Sequence, residues 1–137
     1  MGSDLVGRVL IPGRAAGPLL LLDAPISFWG GVDPHTGVIS DPRHPNHGVA
    51  ISGTVLAVPA PIGSSSSSAI MLELLRNGTA PAGLLLGHND GILVLGVIVA
   101  RELGYPTIPV LELAPSALAR LPSGRSVSVT ERGSVCY

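Results

Sequence analysis

From residue 51 onward this chain alternates short apolar runs with helix-like ones, and no other feature narrows its possible folds as far. Residues 51–58 form a strand candidate, and 82–86 and 108–113, apolar but for Glu112, read as short buried strands. Between the first two, Met71, Leu74 and Leu75 fall on one side of a helix while Glu73 and Arg76 face away. Asn77-Gly78 supplies the stop. Residues 92–99 are apolar on every side, so periodicity alone permits strand or helix. The helix formers Ala100 to Leu103 and the following Gly104 decide for a helix ending at 103. Residues 115–121 suit a short helical turn, and Val127-Ser128-Val129-Thr130 alternates as an edge strand would. Upstream, residues 5–11 and 18–22 read as two strands around a Pro/Gly-rich connection. The expectation is one α/β domain over residues 1–137: a β-rich first half, then β-α-β-α-β-β, with a mixed sheet and two main helices.

Composition excludes several functions. Hydrophobic residues make up 46% of the chain and charged ones 12%, about half the charged share of an average soluble domain, so part of the apolar surface is expected to meet a partner. With 3% aromatic residues, a net charge of −1 and no basic cluster, nucleic acid is not an expected partner. All 8 basic residues are arginines, which removes Schiff-base chemistry and a P-loop lysine together. The single cysteine, Cys136, can form neither an internal disulfide nor, alone, a zinc or iron–sulfur site. Met1-Gly2-Ser3-Asp4-Leu5 lacks a basic and apolar leader pattern, and no apolar run approaches membrane-spanning length. A soluble, cytoplasmic protein that does not enter a membrane is expected.

Two segments carry the chemistry. The first is Gly63 followed by five serines, Ser64 to Ser68, between a strand and an amphipathic helix. A glycine turn feeding a helix start leaves backbone N–H groups unpaired, and serine hydroxyls either cap them or turn to a ligand, so this is a candidate anion site. A flexible serine linker is the alternative, but flanking apolar periodicity favours the structured form. Ser64 also resembles a nucleophile elbow, yet the second glycine of G-x-S-x-G is missing, and His88-Asn89-Asp90 are adjacent in sequence, which points their side chains apart. A Ser-His-Asp hydrolase is disfavoured.

The second segment is the Pro/Gly-rich stretch 29–48, which holds three of the four histidines and two of the five aspartates. Loops of this length inside a compact domain are usually functional or disordered. His44 and His47 have a spacing loosely like that of metal ligands, but without the cysteine or carboxylate company such sites need, so no metal is expected here. Asp33-Pro34-His35-Thr36-Gly37 suits a turn in which Asp33 accepts from N–H groups two or three residues on, and a functional role for Asp33 stands level with that structural one.

Residues 28–48, beginning Phe28-Trp29-Gly30-Gly31-Val32-Asp33-Pro34, together with Gly63-Ser64-Ser65 and Arg76-Asn77-Gly78-Thr79-Ala80-Pro81, closely resemble the small subunit of aconitase X. The resemblance covers nearly the whole chain. It implies the swivelling β/β/α domain of the aconitase superfamily, whose Gly-Ser-Ser-Arg loop carries a serine general base. Matched onto this chain, the base is Ser64, and the substrate-binding positions are Ser65, Ser66, Gly31 and Asp33. Ser66 stands where the superfamily has its arginine, and Ile62 where archaeal relatives carry another. The implied activity is dehydration of a hydroxy acid by a complex whose large subunit holds an iron–sulfur cluster. Either cis-3-hydroxy-L-proline or mevalonate 5-phosphate is a substrate known in the family, and the serine-rich loop looks more like the bacterial, hydroxyproline-acting form. A non-catalytic binding module on the same fold is the rival from another class.

Overall fold

The computed structural model describes residues 4–62, 66–88 and 91–137. In chain order the elements are β1 (Asp4–Val6), β2 (Arg8–Ile11), β3 (Ala15–Leu21), α1 (Phe28–Gly31), β4 (Val32–Asp33), β5 (Val38–Ile39), β6 (Val55–Val58), α2 (Ser66–Asn77), β7 (Gly83–Leu86), α3 (Gly91–Glu102), β8 (Val110–Glu112), α4 (Pro115–Leu118), β9 (Ser126–Val129) and β10 (Ser134–Cys136). Eight strands form one mixed sheet in the order β1-β10-β9-β3-β6-β7-β8-β2, and β4 and β5 form a separate hairpin. Strands β3, β6, β7 and β8 run parallel, and every other pairing is antiparallel.

The two outermost strands, β1 and β2, are consecutive in the chain with only Gly7 between them, so the sheet must curl until its edges meet. Gly7 sits at that seam. Its N–H donates to Gly133 O at 2.8 Å, and a Cβ there would stand 2.8 Å from Leu113 Cδ2. The expected strand 5–11 is thereby two strands with different partners.

Curling gives the sheet an inside and an outside, both apolar. Leu19, Val55, Ala57, Leu85, Leu111, Val127, Val129 and Val135 form the inner cluster, joined by Leu118 and Leu121 from α4 and the residues after it. The alternate positions Leu56, Val58, Leu84, Leu86 and Val110 point outward to Met71, Leu74 and Leu75 of α2 and to Leu93, Val97 and Ala100 of α3. Strands buried on both faces cannot alternate with polar residues, hence the uniformly apolar runs.

Three further sequence expectations change. Residues 126–129 are not an edge strand, because β9 lies between β10 and β3, and its Ser/Val alternation reports one buried face, with Val127 and Val129 inside. The strand expected from residue 51 begins only at Val55, because the N–H and Oγ1 of Thr54 both bond to Ile51 O, at 3.2 and 2.7 Å, and close a turn. The stretch 29–48 contains the β4–β5 hairpin, paired through Val32–Ile39 and Asp33–Val38. Among the described residues no helix is long and apolar enough to cross a membrane.

Candidate active site

Gly63, Ser64 and Ser65 lie outside the described residues, and so do Asn89 and Asp90. What holds the serine loop is nonetheless in view at both of its ends. On the entry side Pro61 bridges to Ile26, and the N–H of Ile62 donates to Ile26 O at 2.8 Å. On the exit side Ser67, only 1% exposed, accepts the N–H of Trp29 on its Oγ at 3.4 Å. Both ends are therefore fastened to one segment, residues 26–29. That segment is itself braced: Ser27 Oγ donates to Trp29 O at 3.1 Å. The single turn of α1 is opened by Trp29 (ψ 117) and by Gly30, whose φ of +76 belongs to the left-handed region that glycine favours.

Gly31 is buried beside this brace. A Cβ there would approach Ile26 Cγ1 to 3.1 Å, and its carbonyl accepts the N–H of Ser40 at 3.0 Å. Ser66 begins α2 and is half-buried. Thus Gly31 and Ser66 both lie against the serine loop's anchors.

The loop after β7 comes to the same place. Gly87 N–H donates to Val58 O at 3.0 Å, and a Cβ at Gly87 would collide with the carbonyl of Pro59, so the chain that leads into exposed His88 leaves β7 against Val58 and Pro59. Helix α3 packs on α2 so closely that a Cβ at Gly96 would stand 2.6 Å from Ser68 O. Loops at the carboxyl ends of adjacent parallel strands with a helix N-terminus facing them make the crevice in which open α/β sheets hold ligands. The first N–H groups of α2 and the positive end of its dipole favour an anion or a developing alkoxide there.

Asp33 is placed elsewhere. Its Oδ1 accepts the N–H of His35 at 2.9 Å and its carbonyl accepts that of Gly37 at 2.8 Å, which is the turn its spacing suggested. The neighbouring Pro34 carbonyl accepts from Asn77 Nδ2 at 3.0 Å and Thr79 Oγ1 at 2.7 Å. This turn therefore docks on the C-terminal end of α2. Asp33 thus lies toward the C-terminal end of α2, whereas Ser66 begins the helix. At Gly37, φ is +69 and a Cβ would collide with Ser52 Oγ and Thr79 O.

His44, read from the sequence as a loop histidine, is 7% exposed. Its Nδ1 accepts the N–H of Asn46 at 3.0 Å, which puts the ring proton on Nε2, facing Ala24 O at 3.1 Å. Asn46 also clasps Asp23, accepting its N–H at 3.0 Å and donating to its carboxylate at 3.2 Å. These bonds tie residues 41–48 to the segment that leads into the 26–29 brace. His44→Phe fills the space but leaves two backbone groups unpaired, and an expected loss of about 1–2 kcal/mol is checked by denaturant melts. Both ring nitrogens of His44 are engaged, and His35 and His47 are exposed.

Helix phase held a signal that was missed: Ser67, Met71 and Leu74 lie at i, i+4 and i+7, which puts Ser67 on the buried face rather than among the ligand-facing serines. Trp29 had no comparable pattern. At the far end of α2, Arg76 bonds Glu73 through Nε and Nη2 at 3.0 and 2.8 Å and holds the Glu73 carboxyl below the usual carboxylate value. The pair is exposed, so Arg76→Gln is expected to leave the melting temperature at neutral pH almost unchanged.

Cys136 stands on β10 opposite Asp4 and Ser128, in the antiparallel half of the sheet. One thiol placed there does not fit an iron–sulfur cluster, which needs several cysteine ligands together.

Residues 4–136 match the family described as the aconitase X swivel domain. The chain is 43% identical over 128 residues to cis-3-hydroxy-L-proline dehydratase of Pseudomonas aeruginosa, a match that covers 88% of this chain and 22% of that protein. It is 36% identical over 125 residues to the phosphomevalonate dehydratase small subunit of Thermococcus onnurineus, covering 91% of this chain and 90% of that one. The crystal structure of holo-form aconitase X from Thermococcus kodakaraensis superposes with a TM-score of 0.86 at 31% identity, covering 98% of this chain and 97% of the other.

Proposed function

The chain belongs to the aconitase X swivel family, and from that premise we propose that it is the small subunit of a heterodimeric hydro-lyase which dehydrates cis-3-hydroxy-L-proline to Δ1-pyrroline-2-carboxylate. The observation that carries this reading is the double fastening of the serine loop, at Ile62 and at Ser67, to residues 26–29 in front of the α2 N-terminus. A hydroxyl is too weak a base for a carbon acid unless its alkoxide is stabilised, and a helix N-terminus stabilises it. Ser64 takes the Cα proton, the C3–O bond breaks, and the hydroxyl leaves with a proton as water. The resulting enamine tautomerises to the cyclic imine.

Ser65 and Ser66 supply hydroxyl and backbone N–H donors for the substrate carboxylate, doing without the arginine that the resemblance leads one to expect at Ser66. Gly31 keeps the brace close-packed beneath the loop, and Asp33 acts by shaping the turn that docks on α2. The iron–sulfur cluster that the family implies belongs on this reading to the large subunit, where it would act as the Lewis acid for the leaving hydroxyl.

Absence of lysine from the chain and of arginine from positions 62–68 disfavours a phosphorylated substrate. One observation favours the second reading, a mevalonate 5-phosphate dehydratase: the match to the phosphomevalonate dehydratase small subunit runs nearly end to end, whereas the chain spans 22% of the Pseudomonas dehydratase. Reconstitution with the large subunit separates them. We expect kcat/KM for cis-3-hydroxy-L-proline to exceed that for mevalonate 5-phosphate by at least tenfold, and the isolated chain to be inactive. Comparable values, or turnover by the chain alone, would overturn the reading.

A further inference from the structure

Two large apolar side chains stand in water at the rim of the serine loop: Trp29 is 58% exposed and Ile62 is 54% exposed. Each is held by the hydrogen bonds that anchor the loop. Ile62 follows from the bond to Ile26 O on the entry side, and Trp29 from the bond to Ser67 on the exit side. The backbone at Trp29 is braced further by Ser27 and by the left-handed Gly30, so the indole is presented on a preorganised mount rather than on a loose loop. Exposed tryptophan on rigid backbone is costly in a free chain and is what an interface anchor looks like.

We propose that Trp29 and Ile62 form the docking rim for the large subunit of the same enzyme, the part corresponding to the remainder of the Pseudomonas dehydratase, of which this chain spans 22%. This rests on the proposed function. If Ser64 acts as base on one face of a small substrate, the group that takes the leaving hydroxyl must lie within a few ångströms on the other face. That surface then closes over the residues flanking the loop. Burying the indole and the isoleucine side chain dries the rim and strengthens the electrostatics of the α2 N-terminus inside it. The competing surface is the outer stripe of α3, with Leu95 50% and Ile98 41% exposed, which faces away from the helix pair's buried contact.

The test uses the full chain and its large subunit. Trp29→Glu and Ile62→Glu are each expected to raise the Kd for the large subunit at least tenfold, with the chain's own melting temperature unchanged because both side chains are exposed. The pair Leu95→Glu and Ile98→Glu is expected to leave Kd within twofold. Because the chain has a single tryptophan, 5-fluorotryptophan labelling gives one 19F line, which is expected to shift when unlabelled large subunit is added. Unchanged binding by the rim variants, loss of binding through the α3 stripe instead, or no association by the unaltered chain would overturn the proposal. A concentration-dependent homodimer abolished by Trp29→Glu would also do so, by assigning the rim to a second copy. A complex that assembles through the rim but does not dehydrate the hydroxy acid would sink the proposed function alone.

Discussion

Ser64→Ala is expected to lower kcat of the reconstituted enzyme by about a hundredfold to ten-thousandfold, the usual worth of a positioned base. Its KM and melting temperature are expected to change little, because one hydroxyl is lost and the loop's two anchors are untouched. The neighbouring serines should separate cleanly. Ser67→Ala removes the acceptor for the Trp29 N–H, so it is expected to cost about 1 kcal/mol of stability while kcat stays within severalfold. If Ser64 merely capped the helix, its loss would instead cost about 1 kcal/mol with near-normal turnover. Measuring kcat and the thermal midpoint on the same complexes decides the matter, and a destabilised but fully active Ser64→Ala enzyme would remove Ser64 from the catalytic role.

The second large effect is expected at Gly96, which no sequence motif marks. A Cβ there would stand 2.6 Å from the backbone oxygen of Ser68 and 2.9 Å from Met71 Cβ. Backbone in the first turn of α2 cannot step aside without moving the helix start that faces the serine loop. Gly96→Val is therefore expected to destabilise the chain by about 3 kcal/mol, at the upper end for overpacking, which lowers Tm by roughly 10 °C in a chain of this size. It is also expected to lower kcat in the surviving folded enzyme, since the α2 N–H groups are displaced from the loop. Gly96→Ala should show the same signs with smaller values. A Gly96→Val enzyme of unaltered Tm would mean that α2 and α3 are not packed as described.

The two predictions draw on different sources. The helix after the serines and the buried strands 83–86 and 110–112 were legible in the sequence, because apolar periodicity and Gly/Asn stops are local signals, although α2 begins at Ser66, within the serine run itself. The family was legible too, since residues 28–48 and 63–65 form a long specific pattern, and the match over residues 4–136 bears it out. Asp33 as turn-former was one of two readings its spacing allowed, and the bonds to His35 and Gly37 give it that task.

Other features depended on long-range pairing. Gly7 separates β1 from β2 because their partners, β10 and β8, come from the far end of the chain, and pairing with β10 on one side and β3 on the other makes β9 an interior strand rather than the edge it resembled. His44 became a bracket because Ala24 lies 20 residues upstream in sequence yet within a hydrogen bond in space. Local sequence thus determined the parallel strands and the two long helices, since propensity and periodicity act over a few residues, whereas the β4–β5 hairpin and the division of residues 4–11 into two strands came from pairing. Tertiary structure alone decided which faces are inside, which glycines admit no side chain, and that Ile26 to Trp29 grip both ends of the serine loop, since those depend on contacts between residues from about 28 to more than 100 positions apart.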